Sequence, residues 1–287
     1  METVYRWSKF IEEDRLEEWE HRFISEGISY VLEKSVKRSR WVLSVYTTAE
    51  DEAEKLLSRF GGSVDLLAPA EWQPSPGSGE EMLLRVRDSI LVTGSENPAV
   101  IDRLAGESPG RIVLSFPPQL AFGTGGHPTT AGCLRFLADF AKTRRGRPWS
   151  VLDLGCGSAI LAIAAAKLGA TRVVAVENDG MALIYARENA VRHGVADRID
   201  FVEGDAVALM EAETDHPYDL IAANLFSDLL EVLFPRFPAH LAADGELIVS
   251  GFLATQAESV SRQAAAAGLP IAATVRRGKW MAGRAPR

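Results

Sequence analysis

Two glycine-rich stretches carry the residue types best suited to chemistry. The first, AFGTGGHPTT (121–130), holds three glycines and a histidine and runs straight into a helix-like apolar pattern. Such loops cradle a phosphate or frame a ligand, because glycine lets backbone N–H groups approach it closely. No Gly-Lys-Ser/Thr follows the glycines, which excludes a Walker-type phosphate loop. The second stretch, VLDLGCGSAIL (151–161), is an apolar strand, a glycine turn and the start of an Ala/Leu-rich helix. Gly155 and Gly157 permit the tight turn and close approach to a ligand. The next apolar run, RVVAVE, ends in Glu177, followed by Asn178 and Asp179. An acid at that place can accept both hydrogen bonds of a ribose diol. A dinucleotide fingerprint would need glycine at position 160, where the residue is Ile160, so NAD is disfavoured.

The elements that must hold these residues follow from periodicity. After the second glycine turn, IDFVEGDA (199–206) reads as a third strand ending at Asp205 and Ala206, and YDLIAANL (218–225) as a fourth ending at Asn224. GELIVSGF is the fifth, and LPIAATV with GKWMAGR form a last antiparallel pair. The expected architecture is a mostly parallel, seven-stranded Rossmann-like sheet with its ligand at the carboxyl ends of the strands.

Upstream, residues 1–68 alternate strand and helix signals in the order β-α-β-β-α-β, that of a small α+β ferredoxin-like domain. The carboxylates of 12–20 are read as the wet face of its first helix rather than a metal cluster. Residues 69–81, PAEWQPSPGSGEE, are rich in Pro, Gly and Ser without periodicity and read as a linker. Residues 82–117 form a connecting region with short strands, and 118–287 the main α/β domain.

Composition narrows the function classes. The 287 residues are 47% hydrophobic and 24% charged, with a net charge of −8, the profile of a soluble globular chain. Acidity argues against general nucleic-acid binding, which needs a basic surface. No apolar run approaches the ~20 residues of a membrane span, and the N-terminus shows no signal-peptide core, so a cytoplasmic protein is expected. Cys133 and Cys156 suggest neither a zinc site nor a disulfide framework. The basic residues Arg276, Arg277, Lys279, Arg284 and Arg287 could touch RNA or an acidic surface, or form a solvated sheet edge.

The D-L-G-C-G-S pattern from Asp153 resembles motif I of the class I S-adenosylmethionine-dependent methyltransferases. Together, AFGTGGHPTT, LDLGCGSAILAIAAAKLGA, ANL and SGFLATQAESV resemble the PrmA family, which methylates ribosomal protein L11. The resemblance is specific over about 111–287 and architectural over 1–67. It implies S-adenosyl-L-methionine as cofactor. It also implies methyl transfer to lysine ε-amines and/or the N-terminal amine of ribosomal protein L11, free or on the ribosome, by a monomer that requires no direct nucleic-acid contact. The first loop would wall the cofactor pocket through Phe122, Gly123, Thr124, Gly125, His127 and Thr130. Asp153, Gly155 and Gly157 would shape its methionine side, with Cys156 a small buried residue between them. Glu177 would bind the ribose with Asn178 nearby, and Asp205 and Ala206 would lie near the adenine. Asn224 matches the catalytic asparagine; its alternative role is a helix N-cap. For His127 the alternative is a structural side chain that hydrogen-bonds the loop. Where the family usually has Asp-Pro-Gly, a third motif I glycine and Asn-Ile-Leu, this chain has Pro117-Pro118-Gln119, Ala159 and Asn224-Leu225-Phe226. Competing readings are a methyltransferase of another protein lysine or a small molecule, and a non-catalytic S-adenosylmethionine-binding module.

Overall fold

The computed structural model describes residues 4–26, 28, 30–34, 41–67, 83–118, 123 and 125–287. The expected linker 69–81 lies outside them, as do Phe122 and Thr124. Contacts divide the chain into two units, Met1–Ser78 and Gly79–Arg287, so the region 82–117 belongs with the second unit.

In the first unit, strands β1 (Val4–Ile11), β2 (Val31–Lys34), β3 (Trp41–Thr47) and β4 (Ser63–Leu67) form an antiparallel sheet of order β2-β3-β1-β4. Helices α1 (Leu16–Ser25) and α2 (Glu50–Phe60) complete the β-α-β-β-α-β order. In α2 the buried residues Ala53, Leu56 and Phe60 recur at helical spacing, so one stripe faces the core. That core is aromatic: Trp7 stacks on Phe23, and Trp19 and Phe60 close around them. Glu12, Glu13 and Glu18 of the acidic segment are exposed.

The second unit begins with a small sheet. Strands β5 (Leu83–Val86) and β6 (Ile90–Thr93) form a hairpin, and β7 (Ile112–Ser115) pairs parallel to β6 after helix α3 (Pro98–Glu107). Helix α4 (Pro128–Thr143) leads into the large sheet. Its strands are β8 (Ser150–Leu154), β9 (Arg172–Glu177), β10 (Ile199–Glu203), β11 (Tyr218–Asn224), β12 (Leu241–Leu253), β13 (Ala273–Arg277) and β14 (Trp280–Pro286). The order is β10-β9-β8-β11-β12-β14-β13, parallel through β12 and antiparallel beyond it.

Alternation along the strands builds two cores, one on each face. Val151, Val173, Ala175, Leu220, Ala222 and Ile248 pack with α4 and α5 (Ile160–Lys167). Their neighbours Leu152, Val174, Val176, Ile221, Ala223 and Val249 pack on the opposite side, with α8 (Ser227–Leu233) and α10 (Ala257–Ala266). The intervening helices are α6 (Gly180–Arg192), α7 (Ala206–Glu211) and α9 (Phe237–His240).

The last antiparallel pair starts at Ala273, later than the expected Leu269. Leu269 instead donates its N–H to the carbonyl of Ala264, closing the end of α10 around Gly268 at φ 79°. Pro270 has no N–H to give a ladder. The fifth strand extends beyond the expected segment at both ends, with a register shift near Gly251.

Candidate active site

Strand order reverses between β8 and β11, which makes a crevice at the carboxyl ends of two adjacent parallel strands. The glycine turn leaves β8 there, and Asn224 ends β11 beside it. Gly155 and Cys156 both donate backbone N–H groups to the carbonyl of Val176, at 2.9 and 3.0 Å. Gly155 sits at φ 66°, and a Cβ on it would lie 2.5 Å from Leu225 Cδ2. Glycine adopts this left-handed conformation without a Cβ penalty. Ala159 occupies the same left-handed region at φ 61° without being glycine.

Glu177 stitches the turn to the end of β9. Its Oε2 accepts from Gly157 N at 2.8 Å, and its Oε1 from Asn178 N and Asp179 N at 3.0 and 3.1 Å. Each carboxylate oxygen has further lone-pair capacity, so hydroxyl donors still fit. Asp205 follows β10, whose Glu203 pairs with Glu177. Its Oδ1 accepts from Ala208 N at 2.9 Å and caps the helix that Ala206 begins.

Asp153 lies on the α5 side of the sheet, 1% exposed. Its Oδ2 accepts from Ala162 N at 3.0 Å, and no ion pair reaches it among the described residues. Burial pushes its carboxyl up to about 7, with the Glu177 charge adding to the rise and the Ala162 N–H opposing it. A buried carboxylate so placed favours a cationic partner. Cys156 is buried, and its thiol is pushed up by that burial and by Asp153 and Glu177, which disfavours the thiolate.

The first loop rests on the second. Ser158 Oγ donates to the carbonyl of Gly123 at 2.8 Å. Gly125 sits at φ 95°, and a Cβ there would meet Val92 Cγ1 at 2.8 Å and Ile160 Cδ1 at 3.3 Å. His127 is the N-cap of α4, with Nδ1 2.7 Å from Thr129 Oγ1. Its ring meets Trp280 edge-on at 4.9 Å. Burial first and the Lys279 charge second hold its pKa down at about 4, so it is neutral at pH 7. The structural alternative read from the sequence is a side chain that hydrogen-bonds the loop; the bond here is to the first turn of α4.

Asn224 is different. Its helix-capping alternative fails: the N-cap of α8 is Phe226, with no side-chain capping bond. Among the described residues, Asn224 Oδ1 is buried with no hydrogen-bond partner, and so is Thr130 Oγ1 on the first turn of α4. Unsatisfied buried acceptors are rare and costly, and at a crevice they point to a ligand that completes them. A cationic, hydroxyl-bearing ligand such as S-adenosyl-L-methionine fits Asp153, Glu177, Thr130 and Asn224.

Several contacts here carried no assignment in the sequence. Ser158 stands in the quoted D-L-G-C-G-S motif, yet its tie to Gly123 depends on how a loop folds back. Asn189 Nδ2 holds the Ser158 carbonyl at 3.1 Å. His193 accepts from Ser115 N through Nε2 at 3.0 Å and lies 2.7 Å from the Asn189 carbonyl through Nδ1. Gly251, at φ 93°, would place a Cβ 2.3 Å from the Leu225 carbonyl oxygen, so it fits tightly behind the Asn224-Leu225 corner.

Comparison with known proteins agrees with this geometry. The family profile described as ribosomal protein L11 methyltransferase (PrmA) matches residues 84–286. A ribosomal protein L11 methyltransferase of Brucella suis is 32% identical over 271 residues, covering 92% of this chain and 91% of that one. One from Chromohalobacter salexigens is 43% identical over 182 residues, covering 62% and 57%. Among solved structures, a ribosomal protein L11 methylase from Lactobacillus delbrueckii subsp. bulgaricus superposes with a TM-score of 0.58 at 29% identity. It spans 71% of this chain and 98% of that one. An S-adenosylmethionine-dependent methyltransferase from Agrobacterium tumefaciens shares the fold, with a TM-score of 0.53 at 17% identity over 78% and 74% of the two chains. Sheet order, switch point and glycine turn are those of a class I S-adenosylmethionine-dependent methyltransferase. With the profile spanning more than two thirds of its length, this chain belongs to the ribosomal protein L11 methyltransferase (PrmA) family.

Proposed function

We propose that the protein methylates amines of ribosomal protein L11, the lysine ε-amines and/or the N-terminal amine, using S-adenosyl-L-methionine. The observation that carries this reading is Asn224 Oδ1, a buried acceptor beside the glycine turn that has no partner among the described residues. Bound in the crevice, the sulfonium supplies an electrophilic methyl carbon. An ammonium has no lone pair, so the substrate amine must first lose a proton to water. Asn224 Oδ1 then accepts an N–H of the neutral amine and aims its lone pair at the methyl carbon. No strong base is needed at that position.

The other residues bind and position. Asp153 sets a negative charge against the cofactor's amino group, and Thr130 Oγ1 supplies a hydroxyl to its polar end. Glu177, with Asn178 beside it, takes the ribose hydroxyls. Asp205 and Ala206 border the adenine, while Phe122, Thr124, Gly125 and His127 close the pocket from the first loop. Gly155, Cys156 and Gly157 form its floor. In this reading residues 1–68 recognise the protein substrate, 69–81 link them to the rest, 82–117 connect, and 118–287 carry the reaction. The protein acts in the cytoplasm as a monomer, without nucleic acid. Among the described residues no helix is long and apolar enough to cross a membrane.

The test is incubation with methyl-labelled cofactor and either ribosomes or free L11, the label being located by mass spectrometry. Label on L11 amines is expected; label only on other molecules, or failure to bind the cofactor, overturns the reading. Asn224→Ala should lose about 2–3 orders of magnitude in kcat while keeping cofactor affinity, as loss of a positioned polar group does.

A further inference from the structure

One cluster of charges outside the crevice has no part in the reaction above. The last 29 residues, 259–287, contain no Asp or Glu, in a chain of net charge −8. Arg284 faces Glu246 at 3.6 Å and Arg287 bonds the Leu241 carbonyl. Three others, Arg276, Arg277 and Lys279, crowd the tip of the β13–β14 hairpin. The Arg276 guanidinium shapes the turn by donating to the Gly278 carbonyl at 2.9 Å, and Arg276 and Arg277 are exposed. Lys279 Nζ lies 5.5 Å from the Trp280 ring centre.

Register places this tip beside the reaction centre. Asn224 pairs with Ser250, and Ser250 with Ala282. Two strand spacings put Ala282 about 10 Å from Asn224. Trp280, two residues nearer the tip, pairs with Leu253 at the carboxyl end of β12. Arg277 pairs with Trp280 and therefore shares its face of the sheet. That face also carries the N-terminus of the sixteen-residue helix α4, where neutral His127 touches Trp280. The positive end of the helix dipole there adds to the potential of the cations.

We propose that the hairpin tip, Arg276, Arg277 and Lys279 around Trp280, is a docking surface for an acidic segment of the protein substrate that flanks the methylated amine. This rests on the reading of the protein as an L11 methyltransferase. An otherwise acidic enzyme attracts a basic substrate over much of its surface. One cationic rim at the crevice then fixes register, because carboxylates settle there and the target amine does not. Three cations in a strongly acidic chain suit a short run of carboxylates better than a nucleic-acid backbone, whose binding grows with many phosphate contacts.

The experiment compares wild type, Arg277→Gln and Arg277→Glu/Lys279→Glu in steady-state methylation of free L11 at about 0.05 and 0.3 M salt. Cofactor affinity and the binding of a fluorescent single-stranded RNA are measured alongside. The double variant should raise KM for L11 about tenfold or more at low salt, with kcat within about twofold. Arg277→Gln should give a smaller rise, and the differences should shrink at high salt. Cofactor affinity should stay unchanged, which separates docking from a damaged fold. An unchanged KM in an active, folded double variant overturns the proposal alone. Loss of RNA binding without a KM change also overturns it, assigning the tip to nucleic acid. A wild type that binds cofactor but does not methylate L11 overturns the functional reading and this proposal with it.

Discussion

Asp153→Asn tests the electrostatic reasoning most directly. The Asp153 carboxyl is 1% exposed and its pKa is raised to about 7 from the ordinary 3.8. The sign follows from linkage. Between about pH 4 and 7 the folded state holds a proton on Asp153 that the unfolded state has released, so stability falls as pH rises through this window. Above pH 7 the cost of the buried charge is present in full. Roughly three units at 1.36 kcal/mol each make that cost about 4 kcal/mol, an order-of-magnitude figure. Asn keeps an oxygen for Ala162 N and carries no charge. The variant should therefore be more stable than wild type by up to about 4 kcal/mol at pH 8 and by roughly 2 kcal/mol at pH 5, the two nearing equality only below about pH 4. Urea denaturation followed by circular dichroism at pH 5, 6, 7 and 8 measures this, and taking the difference between the two proteins cancels the other titrating groups. The same variant should bind S-adenosylhomocysteine at least about tenfold more weakly at pH 8, since a charge-assisted hydrogen bond to its amino group is lost. A stability difference that is the same at pH 5 and pH 8 would refute the account of Asp153 as a strained anion awaiting a cation.

Other substitutions probe backbone geometry and packing. Ala159→Gly relieves a left-handed residue at φ 61° and should leave stability unchanged or raise it by up to ~1 kcal/mol. Ala162→Gly in the interior of α5 should cost about 1 kcal/mol, and equal losses at the two positions in thermal denaturation would contradict the strain argument. Gly251→Ala drives a Cβ to 2.3 Å from the Leu225 carbonyl oxygen. It should lower kcat by about tenfold or more by displacing Asn224, with cofactor affinity much less affected; unchanged turnover would show that the corner is not positionally critical. His193, whose pKa burial lowers from 6.5, contributes stability that is complete above that pH and is lost as pH falls towards the folded value. His193→Gln does not titrate, so wild type should lose stability relative to it below about pH 6. A pH-independent difference in urea midpoint would count against the Ser115 N–His193 bond.

Much of the site frame is legible locally. A short apolar run, cut by glycines that suit a left-handed turn, announces β8 and its loop without reference to the rest of the chain. The same local reasoning sets Glu177 and Asn224 at strand ends, where the structure has them. The strand expected to end at Asp205 instead stops at Glu203, and Asp205 caps the next helix. The ferredoxin-like element order of the first unit is readable for the same reason, since hydrophobic period and turn residues are properties of short segments.

What the sequence determined by itself was thus the set of elements, the glycine turns and the family. Tertiary structure decided which groups are buried and which are satisfied. The Ser158 bond to Gly123 spans 35 residues and the His193 bond to Ser115 spans 78. Nothing in local periodicity encodes either partner, because register and helix docking create them. Asn224 had two readings in the sequence, a helix cap and a bare acceptor. Burial beside the glycine turn, with Phe226 at the N-cap position of α8, left its oxygen without a partner among the described residues. The cost of an unsatisfied buried polar atom depends on its surroundings in three dimensions, and those exist only once β11 lies against β8.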